Sequence, residues 1–307
     1  MLPKFSYVRP NMLDQAIMHL QSEGAAIHAG GTDLLGCLRE RIMTSSKIVS
    51  LSGLTELAGI RQTAAGDVRI GALTTITEIS ENETVQKLYP GLAGAAAEVA
   101  SPQLRNQGTI GGNLCQKPRC WYYRGEFDCR RKGGEICFAM NGENQFHAIF
   151  GHDSICAITH PSDTAPMLTA LGAEVQAETV LTRGEIITWV KIPAPEQGLY
   201  SSYRKIRARR AWDFALAGVA LALVMQADRV TRAAIVLSGA APIPWRSAAA
   251  EKAISGRPLT DETIASAARA AVAEAEPLAA NGYKIAMFRG MLEEELAKAR
   301  EGYKTGT

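Results

Sequence analysis

No run of apolar residues in this 307-residue chain reaches the roughly 18 to 20 needed to cross a bilayer, so no membrane span is expected. There is no excess of charge: the formal net charge is +2, which gives no global field to draw nucleic acid. The dinucleotide fingerprint GxGxxG is absent, which argues against a Rossmann site. No CxxC pair, nucleophile elbow, His-Glu zinc motif or paired catalytic carboxylates are found, so hydrolytic chemistry has no carrier. Repeats and low-complexity segments are missing too. The opening MLPKFSYVRP lacks a charged-then-apolar leader pattern, and a cytoplasmic location is the expectation.

What is present is ordinary globular composition, 47% hydrophobic and 21% charged, in a length that suits two domains. Residues 1 to 60 read as a βαβ unit. Phe5 to Val8 is a short strand; Leu13, Ile17 and Leu20 share a helix face, with Asn11 as its cap. A second strand at Ala26 to Ala29 runs into AGGTDLL, and a third follows at Lys47 to Leu51. A strand, two glycines and Thr32-Asp33 before a helix leave free backbone N–H groups at the turn, a setting suited to a pyrophosphate as well as to a plain tight turn. Val68 to Ala72 is a strand, TTITEISE starts a helix, and the small-residue helix LAGAAAEVA ends at Ser101-Pro102. A second glycine turn follows, RNQGTIGGN, Arg105 to Asn113.

Five of the six cysteines lie between Cys115 and Cys156, in a stretch with little periodicity. A loop that long needs an internal cross-link, and clustered thiols in a reducing compartment read as metal ligands, zinc and iron–sulfur being equally open. Cys37, in an apolar helical pattern, reads as core. His147 and His152 read as hydrogen-bond partners, Trp121 to Tyr123 as packing, and the basic run Arg204 to Arg210 as a solvated, subunit- or phosphate-contacting face.

Beyond Asp163 the pattern predicts a helix around Met167 to Leu171. Strands are expected at Gly184 to Ile187, Trp189 to Ile192, Ser201 to Arg207, along the apolar run from Phe214, and at Ala233 to Leu237; Ala- and Glu-rich helices run from Ala248. A sheet followed by helices is an α+β arrangement.

Taken together, AGGTDLL, RNQGTIGGN, ITHPSD (Ile158 to Asp163) and YRKIRAR (Tyr203 to Arg209) resemble the FAD-binding medium subunits of the molybdenum hydroxylases, the xanthine dehydrogenase and carbon monoxide dehydrogenase group. The resemblance covers nearly the whole chain. It implies an α+β, vanillyl-alcohol-oxidase-type FAD-binding fold. The implied FAD-binding domain is 1–178, with a βαβ subdomain at 1–55, a larger subdomain at 56–178 and a cysteine-rich insertion at 114–157; a C-terminal sheet-plus-helices domain occupies 179–307. It implies that Ala29, Gly30, Gly31, Thr32, Asp33 and Leu34 hold the FAD pyrophosphate from one side. Thr109, Ile110, Gly111, Gly112 and Asn113 would grip the other side and the ribityl chain. Asp163 would bond the ribityl or ribose part, Lys205 would sit near the flavin, and His160, Ala100 and Thr188 would flank it.

Asn113 and Pro161 stand 48 positions apart, where typical members have a short connection. The insertion resembles those of the flavin subunits of periplasmic aldehyde oxidoreductase and 4-hydroxybenzoyl-CoA reductase. It implies a 4Fe-4S cluster on Cys120, Cys129, Cys137 and Cys156, with Cys115 as a packed thiol. The implied function is that of an electron-transfer flavoprotein subunit. A large molybdenum-cofactor subunit would handle an aldehyde, aromatic or CoA-thioester substrate. A small 2Fe-2S subunit would carry electrons to FAD, and a ferredoxin-like carrier or NAD would accept them. The complex would be cytoplasmic, or exported on a partner's twin-arginine signal. A stand-alone FAD-dependent oxidase and a zinc-stapled binding module are the alternatives.

Overall fold

The computed structural model describes residues 1–152, 156–173, 184–210 and 212–306. A parallel three-stranded sheet is formed by β1 (Ser6–Val8), β2 (Ala25–His28) and β3 (Lys47–Ser50), in the order β1-β3-β2. The helix Leu13–Leu20 makes the first crossover; Ala16 and Leu20 bury against Val49, Leu51 and Leu54. Asn11 does not cap it. The cap position is Met12, which has no side-chain acceptor.

A second, antiparallel sheet joins β4 (Ile60–Gln62), β5 (Val68–Gly71) and β6 (Trp189–Ile192), with β5 central. Gly184 to Ile187 is not a strand; regular pairing starts only at Trp189, opposite Gly71. The expected domain boundary lies outside the described residues, and beyond it the chain returns to lay β6 on β5. The helix Ile76–Glu81 is started by a full capping box between Thr75 and Glu78. Helix Pro90–Ala97 stops before Ser101, and Pro102 opens a new short helix, Pro102–Arg105. Proline has no N–H to lose at a first helical position, so it starts a helix as readily as it ends one.

The third sheet is antiparallel, in the order β10-β9-β8-β7: β7 (Leu199–Ile206), β8 (Ala217–Gln226), β9 (Arg229–Ser238) and β10 (Trp245–Arg246). Nine of the ten β8 residues are buried, because both faces of this strand are covered. Val219, Leu221 and Leu223 pack under the C-terminal helices Ala248–Ile254, Asp261–Ala271 and Tyr283–Gly306, against Phe288 and Leu292. The alternate residues Ala220 and Ala222 face the other way, toward Leu92 and Met167. Small side chains there let helices Pro90–Ala97 and Thr164–Ala170 close on the sheet. A Cβ on Gly91 would lie 2.9 Å from the Ser202 backbone nitrogen. One core thus joins the second and third sheets.

Candidate functional site

The two glycine turns meet. An added Cβ on Gly30 would fall 1.8 Å from the Gln107 carbonyl oxygen, so only glycine lets the two backbones touch. Gly31 has φ +72°, a conformation that L side chains rarely adopt. On the other side Gly111 packs against Ala72, whose carbonyl accepts from the Gly111 N–H at 2.9 Å. Between the turns lies a cavity of ≈ 470 Å³. Ala29, Gly30, Gly31, Thr32, Asp33, Leu34, Thr109, Gly111 and Gly112 line it, as expected of two loops that grip one ligand. Its wall also includes Cys37, Ala72 and Leu73, Gly184 to Ile187, and Cys115, Gln116 and Lys117. Leu73, Gln116 and Lys117 did not stand out in the sequence, because they carry no motif. Cys115 therefore belongs to this cavity, and burial pushes its thiol up to about 11.

The other expected contacts lie elsewhere. Ile110 is wholly buried and anchors its turn in the core, its N–H on the Thr74 carbonyl. Asn113 Oδ1 accepts from Ser162 Oγ at 2.5 Å and Thr164 Oγ1 at 2.8 Å, which ties the second glycine turn to ITHPSD. Within that turn His160 is buried, its backbone N–H on the Ala241 carbonyl. Asp163 accepts from Lys205 Nζ at 2.8 Å and from the Tyr203 hydroxyl at 2.9 Å; Lys205 also donates to the Glu98 carbonyl. Burial pushes the Asp163 carboxyl up, and the Lys205 ammonium and Tyr203 hydroxyl pull against that. Thr188 offers its carbonyl to the Ala72 N–H, and Ala100 holds φ +44° with its carbonyl on the Trp212 N–H. Apart from the Asp163–Lys205 pair, these residues are held by other parts of the chain.

Asp33 is held by the cysteine-rich segment. Its carboxylate accepts from the Lys117 backbone N–H at 2.7 Å, Arg119 Nη1 at 2.6 Å and Arg124 Nη2 at 2.8 Å. Burial pushes this carboxyl up, but Arg119 and Arg124 outweigh burial and hold it below the ordinary range.

Cys120, Cys129, Cys137 and Cys156 line a second, smaller cavity, with Pro118, Tyr122, Tyr123 and Phe138 around them. All four thiols are free. Burial raises Cys120 to about 11, and Cys137 and Cys156 lie near enough to add to the rise. His147 Nε2 stands 3.2 Å from Cys120 Sγ. Tyr122, Phe127 and Phe138 pack ring on ring beside them. Among the described residues, no three His, Cys, Asp or Glu side chains converge on a position for one metal ion. Neither Cys37, fully buried in its helix, nor Cys115 reaches this cavity.

Residues 3–186 match the family described as the FAD-binding domain in molybdopterin dehydrogenase, and residues 201–299 match the C-terminal domain of CO dehydrogenase flavoproteins. The chain belongs to the FAD-binding subunits of the molybdopterin dehydrogenases. The family assigns FAD binding to this chain, as a subunit of an oxidoreductase. The FAD-binding subunit of an aldehyde oxidoreductase from Escherichia coli (strain K12) is 35% identical over 96% of this chain and 98% of its own. The carbon monoxide dehydrogenase medium chain of Hydrogenophaga pseudoflava is 28% identical over 97% of each. Among solved structures, carbon monoxide dehydrogenase from Hydrogenophaga pseudoflava superimposes with a TM-score of 0.76 at 26% identity, covering 98% of this chain and 99% of that one. Quinoline 2-oxidoreductase from Pseudomonas putida 86 gives 0.74 at 27%, covering 99% of both. These full-length matches carry the mixed α+β fold, an FAD-binding region followed by a C-terminal one. No described helix is long and apolar enough to cross a membrane.

Proposed function

We propose that this chain is the electron-transfer flavoprotein subunit of a molybdenum-cofactor aldehyde oxidoreductase, holding FAD in the glycine-turn cavity and a 4Fe-4S cluster on Cys120, Cys129, Cys137 and Cys156. The observation that carries the cluster is the sorting of thiols: these four share one small cavity, while Cys37 and Cys115 lie outside it. A zinc ion needs its donors converged about 2.3 Å from a single point. A 4Fe-4S cluster takes one thiolate at each of four separate irons, so its ligands surround a volume instead. Aldehyde is the substrate class borne in the name of the Escherichia coli relative, and the partners are a large molybdenum-cofactor subunit and a small 2Fe-2S subunit.

FAD when bound exchanges single electrons with iron–sulfur centres and pairs with a soluble acceptor, and a 4Fe-4S cluster would add a one-electron relay to a ferredoxin-like carrier. The chain's own residues set the stage. Gly30, Gly31, Gly111 and Gly112 admit the diphosphate close to the backbone. Asn113 fixes the second turn to Ser162 and Thr164, and Asp163, Lys205 and Tyr203 form the buried polar centre behind it. Tyr122, Phe127 and Phe138 keep water from the thiols.

The test is metal analysis with spectroscopy of the purified complex. Cys129→Ser is expected to remove about four irons and the matching absorbance near 400 nm, with FAD retained; Cys115→Ser is expected to remove no iron. Equal iron in the wild type and Cys129→Ser, or zinc in its place, would overturn the cluster.

A further inference from the structure

Three cationic side chains of the cysteine-rich segment gather at the first glycine turn, and their arrangement has a direction. Asp33 would by itself repel a diphosphate. Two arginines over-neutralise it: Arg119 Nη1 at 2.6 Å and Arg124 Nη2 at 2.8 Å, both on Oδ1. Asp33 and Arg124 also grip the backbone just before Arg119. Asp33 Oδ2 accepts from the Lys117 N–H, Arg124 Nη2 donates to the Lys117 carbonyl at 3.1 Å, and Arg124 Nε donates to the Pro118 carbonyl at 2.7 Å. Arg124 Nη1 also reaches Cys37 Sγ at 3.1 Å, one turn along the helix from Asp33. Arg119 is braced by Gln116 Oε1 and by the Phe214 ring, 5.0 Å from its guanidinium carbon. Lys117 is thus held at both its N–H and its C=O, with its side chain exposed at the edge of the ≈ 470 Å³ cavity. Among the described residues it is the one cationic side chain lining that cavity; the other charged ones are Asp33 and Glu185.

We infer that the cysteine-rich segment is a working wall of the FAD site, in which the Asp33–Arg119–Arg124 node clamps residues 116–118 so that Lys117 supplies the cation for the FAD diphosphate. This rests on the FAD assignment of the cavity and extends it to residues outside the glycine turns. FAD affinity and order in residues 114–124 then form one equilibrium. A ligand that is bound by a clamped segment stabilises the clamp by the same free energy. Asp33 acts as a positioning residue here: its carboxylate is spent on the segment, and its effect on FAD passes through Lys117.

The experiment is FAD titration of the flavin-stripped complex by flavin fluorescence, at two salt concentrations, with limited proteolysis alongside. Lys117→Ala is expected to weaken FAD about tenfold, the order of one hydrogen bond to a charged group, and to flatten the salt dependence. Lys117→Arg is expected to restore both, and iron content is expected to be unchanged in either variant. The double variant Arg119→Met/Arg124→Met is expected to lose FAD and to gain protease cuts between residues 114 and 132, with added FAD suppressing the cuts in the wild type. Wild-type affinity and salt slope in Lys117→Ala would overturn the proposal whatever the double variant does. A wild-type complex that takes up no FAD would overturn the FAD site itself along with it.

Discussion

Lys284 is wholly buried, and its ammonium donates to three carbonyls: Phe146 at 3.2 Å, His147 at 2.9 Å and Gly239 at 2.8 Å. Burial pulls its pKa down to about 7. Between about 7 and the ordinary lysine value of about 10.4, the unfolded chain holds the extra proton. Stability therefore rises with pH across that window, by at most about 1.4 kcal/mol per unit, and the cost of the buried charge is fully present below it. Lys284→Met is expected to remove this slope while costing stability at every pH, as read from urea unfolding between about pH 6.5 and 9.5. Lys205 poses the complementary case, because it has a partner. Lys205→Met strands the Asp163 carboxylate and is expected to cost about 3 to 5 kcal/mol, with Lys205→Met/Asp163→Asn recovering part of the loss; thermal unfolding of the two variants decides it.

The glycine turns work through backbone contact, and that is testable one carbon at a time. Gly30→Ala drives a methyl into the Gln107 carbonyl, so the turns must separate; FAD binding is expected to fall by at least tenfold in a fluorescence titration. Gly36, inside helix Leu34–Arg39, has open space where its Cβ would go and an ordinary φ. Gly36→Ala is expected to raise stability by about 0.5 to 1 kcal/mol and leave FAD binding alone, measured by the same titration with urea unfolding. Strand β8 shows the same economy in its alternation. Its large residues serve the C-terminal helices and its alanines serve the FAD-binding region, so one strand belongs to two cores.

Across the whole molecule the cysteine-rich segment is fastened at both ends. Arg119 and Arg124 hold its start to Asp33, and residues 144–152 are bound to the turn before the last helix. Asn281 Nδ2 donates to the carbonyls of His147 and Ala148, Asn144 Oδ1 accepts from the Ala280 N–H, and His152 Nε2 pairs with the Glu276 carbonyl at 2.6 Å. The segment thus bridges the FAD turn and the C-terminal helices instead of hanging from either. Asn281→Ala removes the Nδ2 donor from the His147 and Ala148 carbonyls, of which His147 keeps the Lys284 ammonium, and is expected to cost about 1 to 3 kcal/mol, with faster proteolysis inside 114–157 than at any other site; cleavage mapped by mass spectrometry checks it.

Much of this was legible in the residues themselves. Gly30 and Gly31 announce close backbone approach, because only glycine tolerates their contact and φ, and the apolar run of β8 announces a doubly covered strand. Local signals misled where a neighbour outweighed them: Pro102 starts a helix, Asn11 caps nothing, and Gly184 to Ile187 lines the cavity without pairing. What no one-dimensional pattern contains is the sorting of like residues by distance. Cys115 and Cys120 are five positions apart yet open onto different cavities, and Asp33 and Arg119, 86 apart in the chain, share a hydrogen bond. Backbone freedom and hydrophobic periodicity are properties of short stretches, so the amino-acid order determines them alone. Which thiols share a cavity, and which carboxylate a given arginine neutralises, depends on contacts between distant stretches, and only the packed chain decides those.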